Sequence, residues 1–198
     1  MANSTQDLGF KTQDSVKRCS WPGSDPLYIK YHDEEWGKPV YDDHKLFEFL
    51  ILEGAQAGLS WITILRRRES YRNAFKDFDV KKVAALTEKD VARLMLDEGI
   101  IRNRLKINSA ITNARLFMDI QKEFGSFSKY IWGFMPESKP LENKVSKPGD
   151  TPVKTDISDA ISKDMKKRGF KFFGTTICYA FMQATGMVND HLEDCIAR

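Results

Sequence analysis

The chain has 198 residues, of which 41% are hydrophobic and 30% charged, which is enough apolar content for a packed core and excludes global disorder. Net charge is only +3 and the pI is near 8.6, a mild basic bias that permits a nucleic-acid partner without demanding one. The first residues, MANSTQDLGFKTQDSVKR, lack the apolar segment of a secretory signal, and no apolar run is long enough to span a bilayer. The expectation is a cytoplasmic protein with no membrane partner. Three cysteines, Cys19, Cys178 and Cys195, make disulfides a poor explanation there.

Residues 1–17 are polar and aperiodic and read as a flexible tail, with a single domain over 18–198. RCSWPGSDPLYIKYHDEEWG reads as a loop-rich stretch dense in Trp and Tyr, with Pro22 and Pro26 breaking regular structure. DDHKLFEFLILEGAQAG reads as a helix capped by Asp42 or Asp43, with Leu46, Phe49, Leu50 and Ala57 on one face and Gly58 at its end. SWITILRRRESYRNAFKDF starts a second helix behind Ser60. LTEKDVARLMLDEGI is a third, with a capping box from Thr87 and Asp90 and Gly99 as its stop.

RNRLKINSAITNARLFMDIQKEFG is a fourth helix, with Ile107, Ala110, Ile111, Ala114 and Met118 as its apolar stripe. SFSKYIWGF is a short helix, and residues 136–155 are a Pro- and Lys-rich connection. ISDAISKDMKKRG is a helix closed by Gly169, and TTICYAFMQATG, apolar nearly all round, is a buried one. No alternating strand pattern competes, so the architecture is expected to be all-α.

Four constellations bear on chemistry. His191 and Cys195 are four residues apart, which a helix would place on one face, and Cys19 and His32 could complete a tetrahedral zinc set. Only His191 and Cys195 have a usual ligand spacing, so a scatter of common residues stays open. Cys178, in an apolar helix, reads as a buried thiol, and His44 as a surface or capping residue without a partner. Glu53 falls in register with Phe49, Leu50 and Ala57, so it is either a buried carboxylate with a purpose or a residue that reaches solvent at a helix end.

Trp21, Tyr28, Tyr31, Trp36 and Trp61 either pack or, with one carboxylate, form a box suited to a flat cationic ring. LMLDEGIIRNRLKINSAI reads as helix, tight turn, helix, with Arg102, Arg104 and Lys106 just past the turn. Free backbone N–H groups there would bind phosphate, the basic side chains adding to the attraction. An ordinary αα-hairpin with a solvated basic face is the plainer alternative, and KDMKKRGFKFFG is a second basic cluster of the same ambiguity.

Taken together, RCSWPGSDPLYIKYHDEEWG, LEGAQAGLSWITIL, DEGIIRNRLKI and KKRGFKFFGTTICYAFMQATGMVNDH closely resemble the bacterial 3-methyladenine DNA glycosylase I family, part of the helix-hairpin-helix glycosylases. The resemblance runs from about Arg18 to Cys195. It implies a two-lobed helical domain that excises 3-methyladenine from alkylated double-stranded DNA, acting as a monomer. It implies one structural zinc per chain on Cys19, His32, His191 and Cys195, and a base pocket with Glu53 as the catalytic or recognition carboxylate. Trp21, Tyr28, Tyr31, Trp36 and Trp61 would line that pocket. Gly99, Ile100 and Ile101, with Arg102, would form the DNA-binding hairpin, and Gly58 and Leu59 would lie near the gap left by the flipped base. Many superfamily relatives carry an Asp shortly after the hairpin, whereas here no carboxylate follows before Asp119. A non-catalytic DNA-binding module would have little use for Glu53 beside an aromatic box. A zinc hydrolase is disfavoured because no HEXXH-like pattern is present.

Overall fold

The computed structural model describes residues 17–198, so the predicted tail lies outside the described residues except for Lys17. The described chain is mostly helical. Helix α1 spans Pro26–Glu34, inside the stretch expected to be a loop. Asp25 caps it, accepting from the N–H groups of Leu27 and Tyr28 at 2.9 and 3.2 Å. Pro26 therefore starts the helix, because proline's missing N–H is harmless in the first turn and its fixed φ suits it. The helix buries Tyr31 and His32.

Helix α2, Asp43–Gln56, is capped by Asp42 and is buried from Leu46 through Ala55. The expected one-sided stripe is too narrow a description, since four later helices, beginning at Trp61, Arg104, Phe127 and Thr175, all pack around this one. Ala57 follows the last turn half-buried and leads to Gly58, whose φ of +79° turns the chain. The predicted second helix is two: α3, Trp61–Leu65, and α4, Arg68–Ala74, separated where Arg67 leaves helical geometry. Ser60 precedes α3 without capping it, its hydroxyl bonding Thr63 Oγ1 at 2.7 Å.

After a short turn, α5 spans Val80–Ala84 and α6 spans Glu88–Leu94, the latter with the expected Thr87–Asp90 capping box. Gly99 does not end α6, which stops five residues earlier and is followed by Met95 in right-handed geometry. Gly99 is required for another reason: a Cβ there would lie 2.7 Å from Ser70 Cβ. Helix α7, Arg104–Phe124, is capped by Asn103 and closed by Gly125 at φ +85°. Ile107, Ala110, Ile111 and Ala114 are buried as expected; Met118 is only half-buried, and Phe117 beside it occupies the core.

Helix α8 spans Phe127–Trp132, α9 spans Asp156–Arg168 and stops at Gly169, and α10 spans Thr175–Ala184 around a buried Cys178. One small departure from all-α remains. Strands β1, Leu141–Glu142, and β2, Val188–Asn189, pair in parallel, and a bridge between Val145 and Leu192 extends the contact. His191 and Cys195 are not in a helix; they are irregular residues on either side of a bridge and turn at 192–194. His44 does have a partner, the carbonyl of Asp77.

Candidate active site

Two glutamates of α2 meet opposite fates. Glu48 is buried, and burial alone would push its carboxyl up, but Arg68 Nε at 2.7 Å, Arg72 Nη2 at 2.8 Å and Lys45 Nζ at 3.1 Å hold it below the usual range. Glu53, five residues on, is equally buried, and its Oε2 has no hydrogen-bond partner among the described residues. Burial pushes its pKa up to about 8. Trp61 Nε1, on α3, is a second buried polar atom with no partner there. Unpaired buried polar groups are costly, and two of them facing one space mark a place for a polar ligand.

That space is a cavity of about 350 Å³. All five aromatics singled out from the sequence line it together with Glu53. Trp21 meets Tyr28 edge-on at 4.8 Å and Trp36 at 5.0 Å, Tyr31 lies 5.4 Å from Trp61, and Phe49 stacks behind Trp61 at 6.5 Å between ring centres. Burial, and then the nearby Glu53, raises the phenol pKa of both Tyr28 and Tyr31. The box is thus apolar on its walls with a carboxyl at one side, the combination suited to a flat ring carrying positive charge.

Sequence reasoning missed other residues of the cavity. Gln56, Gln183 and Asp190 line it, as do Val145, Pro148, Gly149 and Thr151 from the connection before α9. Asp190 is buried and accepts from Asn143 Nδ2 at 2.6 Å, Gln183 Nε2 at 2.7 Å and Tyr179 Oη at 2.8 Å. Its place beside His191 was the one available signal; the loop had none.

Cys19, His32 and Cys195 come together beside this cavity, one donor atom from each within 4.8 Å of the others, all three buried. They are able to hold a metal ion. His32 Nδ1 is engaged by Asp33 Oδ1 at 2.7 Å, which leaves Nε2 toward Cys195 Sγ at 3.5 Å. The fully buried His191 stands against the cluster, its ring centre 4.8 Å from that of His32. Its Nδ1 meets Asn189 Oδ1 at 2.8 Å and its Nε2 meets the His32 carbonyl at 3.3 Å. An oxygen partner on Nδ1 orients His32 to offer Nε2 as a ligand, whereas His191 Nε2 meets a carbonyl and His191 stands outside the three-residue set. Burial, with Cys195 adding to it, pushes the Cys19 thiol up to about 11, and a cation among these sulfurs would reverse that preference. Trp21 and Trp36 connect the cluster to the cavity, lying 5.1 Å from His32 and 4.6 Å from His191.

The expected DNA-facing residues are divided. Leu59 and Arg102 are exposed and Gly58 is open to solvent, but the Ile100 side chain is core and Ile101 is half-buried. The hairpin N–H groups are largely engaged: Gly99 with Asp97 Oδ1, Ile101 with Tyr71 Oη at 3.1 Å, and Leu105 and Lys106 with Asn103 Oδ1. Lys106 is not on the basic face at all; its Nζ donates to the carbonyls of Ala55 and Ala57. In the second basic cluster, Arg168 is committed to Glu123 and Asp164. No helix among the described residues is long and apolar enough to cross a membrane.

The chain as a whole is similar to proteins of one known family. The methyladenine glycosylase family model matches residues 21–198. The chain is 52% identical over 180 residues to DNA-3-methyladenine glycosylase 1 of Escherichia coli (strain K12), covering 91% of this chain and 96% of that one. It is 51% identical over 178 residues to the DNA-3-methyladenine glycosylase of Haemophilus influenzae, covering 90% and 96%. Among solved structures, a crystal structure of a 3-methyladenine DNA glycosylase I superimposes with a TM-score of 0.89 at 50% identity, over 92% of this chain and 100% of that one. A Staphylococcus aureus 3-methyladenine DNA glycosylase I, solved to explain 3-methyladenine recognition, gives 0.88 at 39% identity over 90% and 95%. With sequence and fold matched across nearly the whole described chain, this protein belongs to the methyladenine glycosylase family.

Proposed function

We propose that this chain is a monofunctional DNA glycosylase that removes 3-methyladenine from alkylated double-stranded DNA and leaves an abasic site. The observation that carries the reading is the unpartnered Glu53 carboxyl inside an aromatic cavity, in a chain whose relatives are named for this activity. Methylation at N3 puts a positive charge on adenine and weakens its bond to deoxyribose. A cationic ring set against Glu53 favours the carboxylate, so lesion and ionised Glu53 stabilise each other. Neutral adenine offers no such charge.

Extruding the nucleotide costs a few kcal/mol, less for a damaged base. Stacking on Trp61, with Tyr28, Tyr31, Trp21 and Trp36 around the ring, offsets that cost. Water then attacks C1′ of the sugar and loses a proton to solvent, the glycosidic electron pair leaves with the base, and the departing 3-methyladenine is neutral. Helix α7 offers no carboxylate between Arg104 and Met118, so the chemistry rests on the lability of the cationic leaving group and on the pocket's electrostatics, with Glu53 as its catalytic group.

The rest of the reading follows the same family logic: a two-lobed helix-hairpin-helix protein, monomeric and cytoplasmic. Gly99, Ile100, Ile101 and Arg102 would hold the DNA backbone, while Gly58 and Leu59 would sit at the gap left by the flipped base. Zinc would be held by Cys19, His32, His191 and Cys195. Four protein ligands leave no position for water, so the ion would be a structural tie between the residue 19–32 segment and the chain end. Incubating the protein with methylated duplex DNA tests the reading: free 3-methyladenine should appear with an equal number of abasic sites and no strand cleavage.

A further inference from the structure

We infer that Lys106 is a positioning residue that locks the hairpin between α6 and α7 to the turn beside the base pocket. The inference rests on the glycosylase reading above. A helix C-terminus leaves carbonyls unsatisfied and carries partial negative charge. At the end of α2 the Gln56 carbonyl is taken by Leu59 N–H at 2.6 Å. The Ala55 and Ala57 carbonyls are taken by Lys106 Nζ, at 2.8 and 2.7 Å. The last turn of α2 contains no basic residue of its own, so α7 supplies the compensating charge from across the fold.

Lys106 is itself held firmly. Its N–H donates to Asn103 Oδ1 at 3.2 Å, and its carbonyl accepts from Ser109 Oγ at 2.7 Å. On the other side of the link lie Gly58 and Leu59, and one helical turn back lies Glu53. The hairpin's other anchor is Tyr71, through Ile101 N–H. Arg102 and Arg104, by contrast, keep half-exposed side chains paired with Glu98 and Glu88 at the surface. The ammonium of Lys106 is therefore spent inside the protein. It sets the distance between the element that grips the backbone and the mouth that receives the extruded base, and misplacement there is costly to catalysis.

The test uses the full chain with Lys106→Met, which keeps length and loses both bonds, and Lys106→Gln, which can remake one. Free 3-methyladenine binding, followed by tryptophan fluorescence, should stay within about twofold of the unaltered protein, because the pocket is intact. Excision from methylated duplex should fall roughly 10- to 100-fold for Met, mostly in kcat, with Gln intermediate. The salt dependence of binding to undamaged duplex should keep its slope, whereas loss of a phosphate contact would lower it by about one. A reduced slope, unchanged excision, or loss of free-base binding in both variants would overturn the assignment. If the unaltered chain released no 3-methyladenine, the functional reading itself would fail.

Discussion

At the level of single residues, the site is defined by the contrast between Glu48 and Glu53. Each sits on α2 with about 2% of its surface exposed, yet only Glu48 is neutralised by arginines. The register of Glu53 with Phe49 and Leu50 pointed to the buried face but left a solvent-reaching helix end open, and the structure buries it. The burial of Glu48 was not legible, because its partners Arg68 and Arg72 come from α4, 20 and 24 residues away. An uncompensated carboxyl has a thermodynamic signature. Its folded pKa of about 8 lies above the ordinary value of 4.5, so the native state keeps a proton that the unfolded chain loses. Stability should be full below about pH 4.5, fall as pH rises to about 8, and level off beyond. Glu53→Gln, which does not titrate, should therefore match the unaltered protein near pH 4.5 and exceed it above pH 8 by a few kcal/mol in urea unfolding. The same group should make kcat/KM for excision rise with pH to a plateau above about 8, since the cationic lesion needs the carboxylate.

Among the elements, the helices with caps and clear periodicity were legible: the Thr87–Asp90 box of α6, the Gly169 stop of α9, the apolar run of α10. The misreadings have local causes. Pro26 reads as a breaker unless Asp25 ahead of it is counted as a cap, so α1, which carries Tyr28, Tyr31 and His32, reads as a loop from the sequence. Gly99 looked like a helix stop, but its role is close approach to α4. That role is testable. Gly99→Ala would bring a methyl group within 2.7 Å of Ser70 Cβ, forcing the hairpin and α4 apart. A loss of about 1–3 kcal/mol is expected from such overpacking, read as a lower urea midpoint with an unchanged slope, and a neutral substitution would show that the hairpin moves freely.

For the whole molecule, the segment around Lys17–Cys19 and the last residues are drawn together around the thiol–imidazole cluster. Cys19, Cys195 and Ala197 form a small apolar core of their own. Ile196 N–H donates to the Lys17 carbonyl, and Arg198 reaches the carbonyls of His191 and Asn143. The pair β1–β2 and the Val145–Leu192 bridge tie the remaining cavity wall to this region. Two-residue strands are too short to leave a period in the sequence, which is why that wall was invisible there. If zinc closes the cluster, purified protein should contain about one zinc per chain, and Cys195→Ser should lower zinc content and Tm together. Full zinc occupancy in that variant would remove Cys195 from the ligand set.

In the proposed function, Glu53 reads a cationic methylated base within its aromatic cavity. The most direct measurement compares release of 3-methyladenine from methylated duplex DNA by the unaltered chain and by Glu53→Gln at pH 8. The first should release the base and the second should be slower by roughly 100-fold or more, with undamaged-DNA binding retained. Equal rates from the two proteins would contradict this role for Glu53.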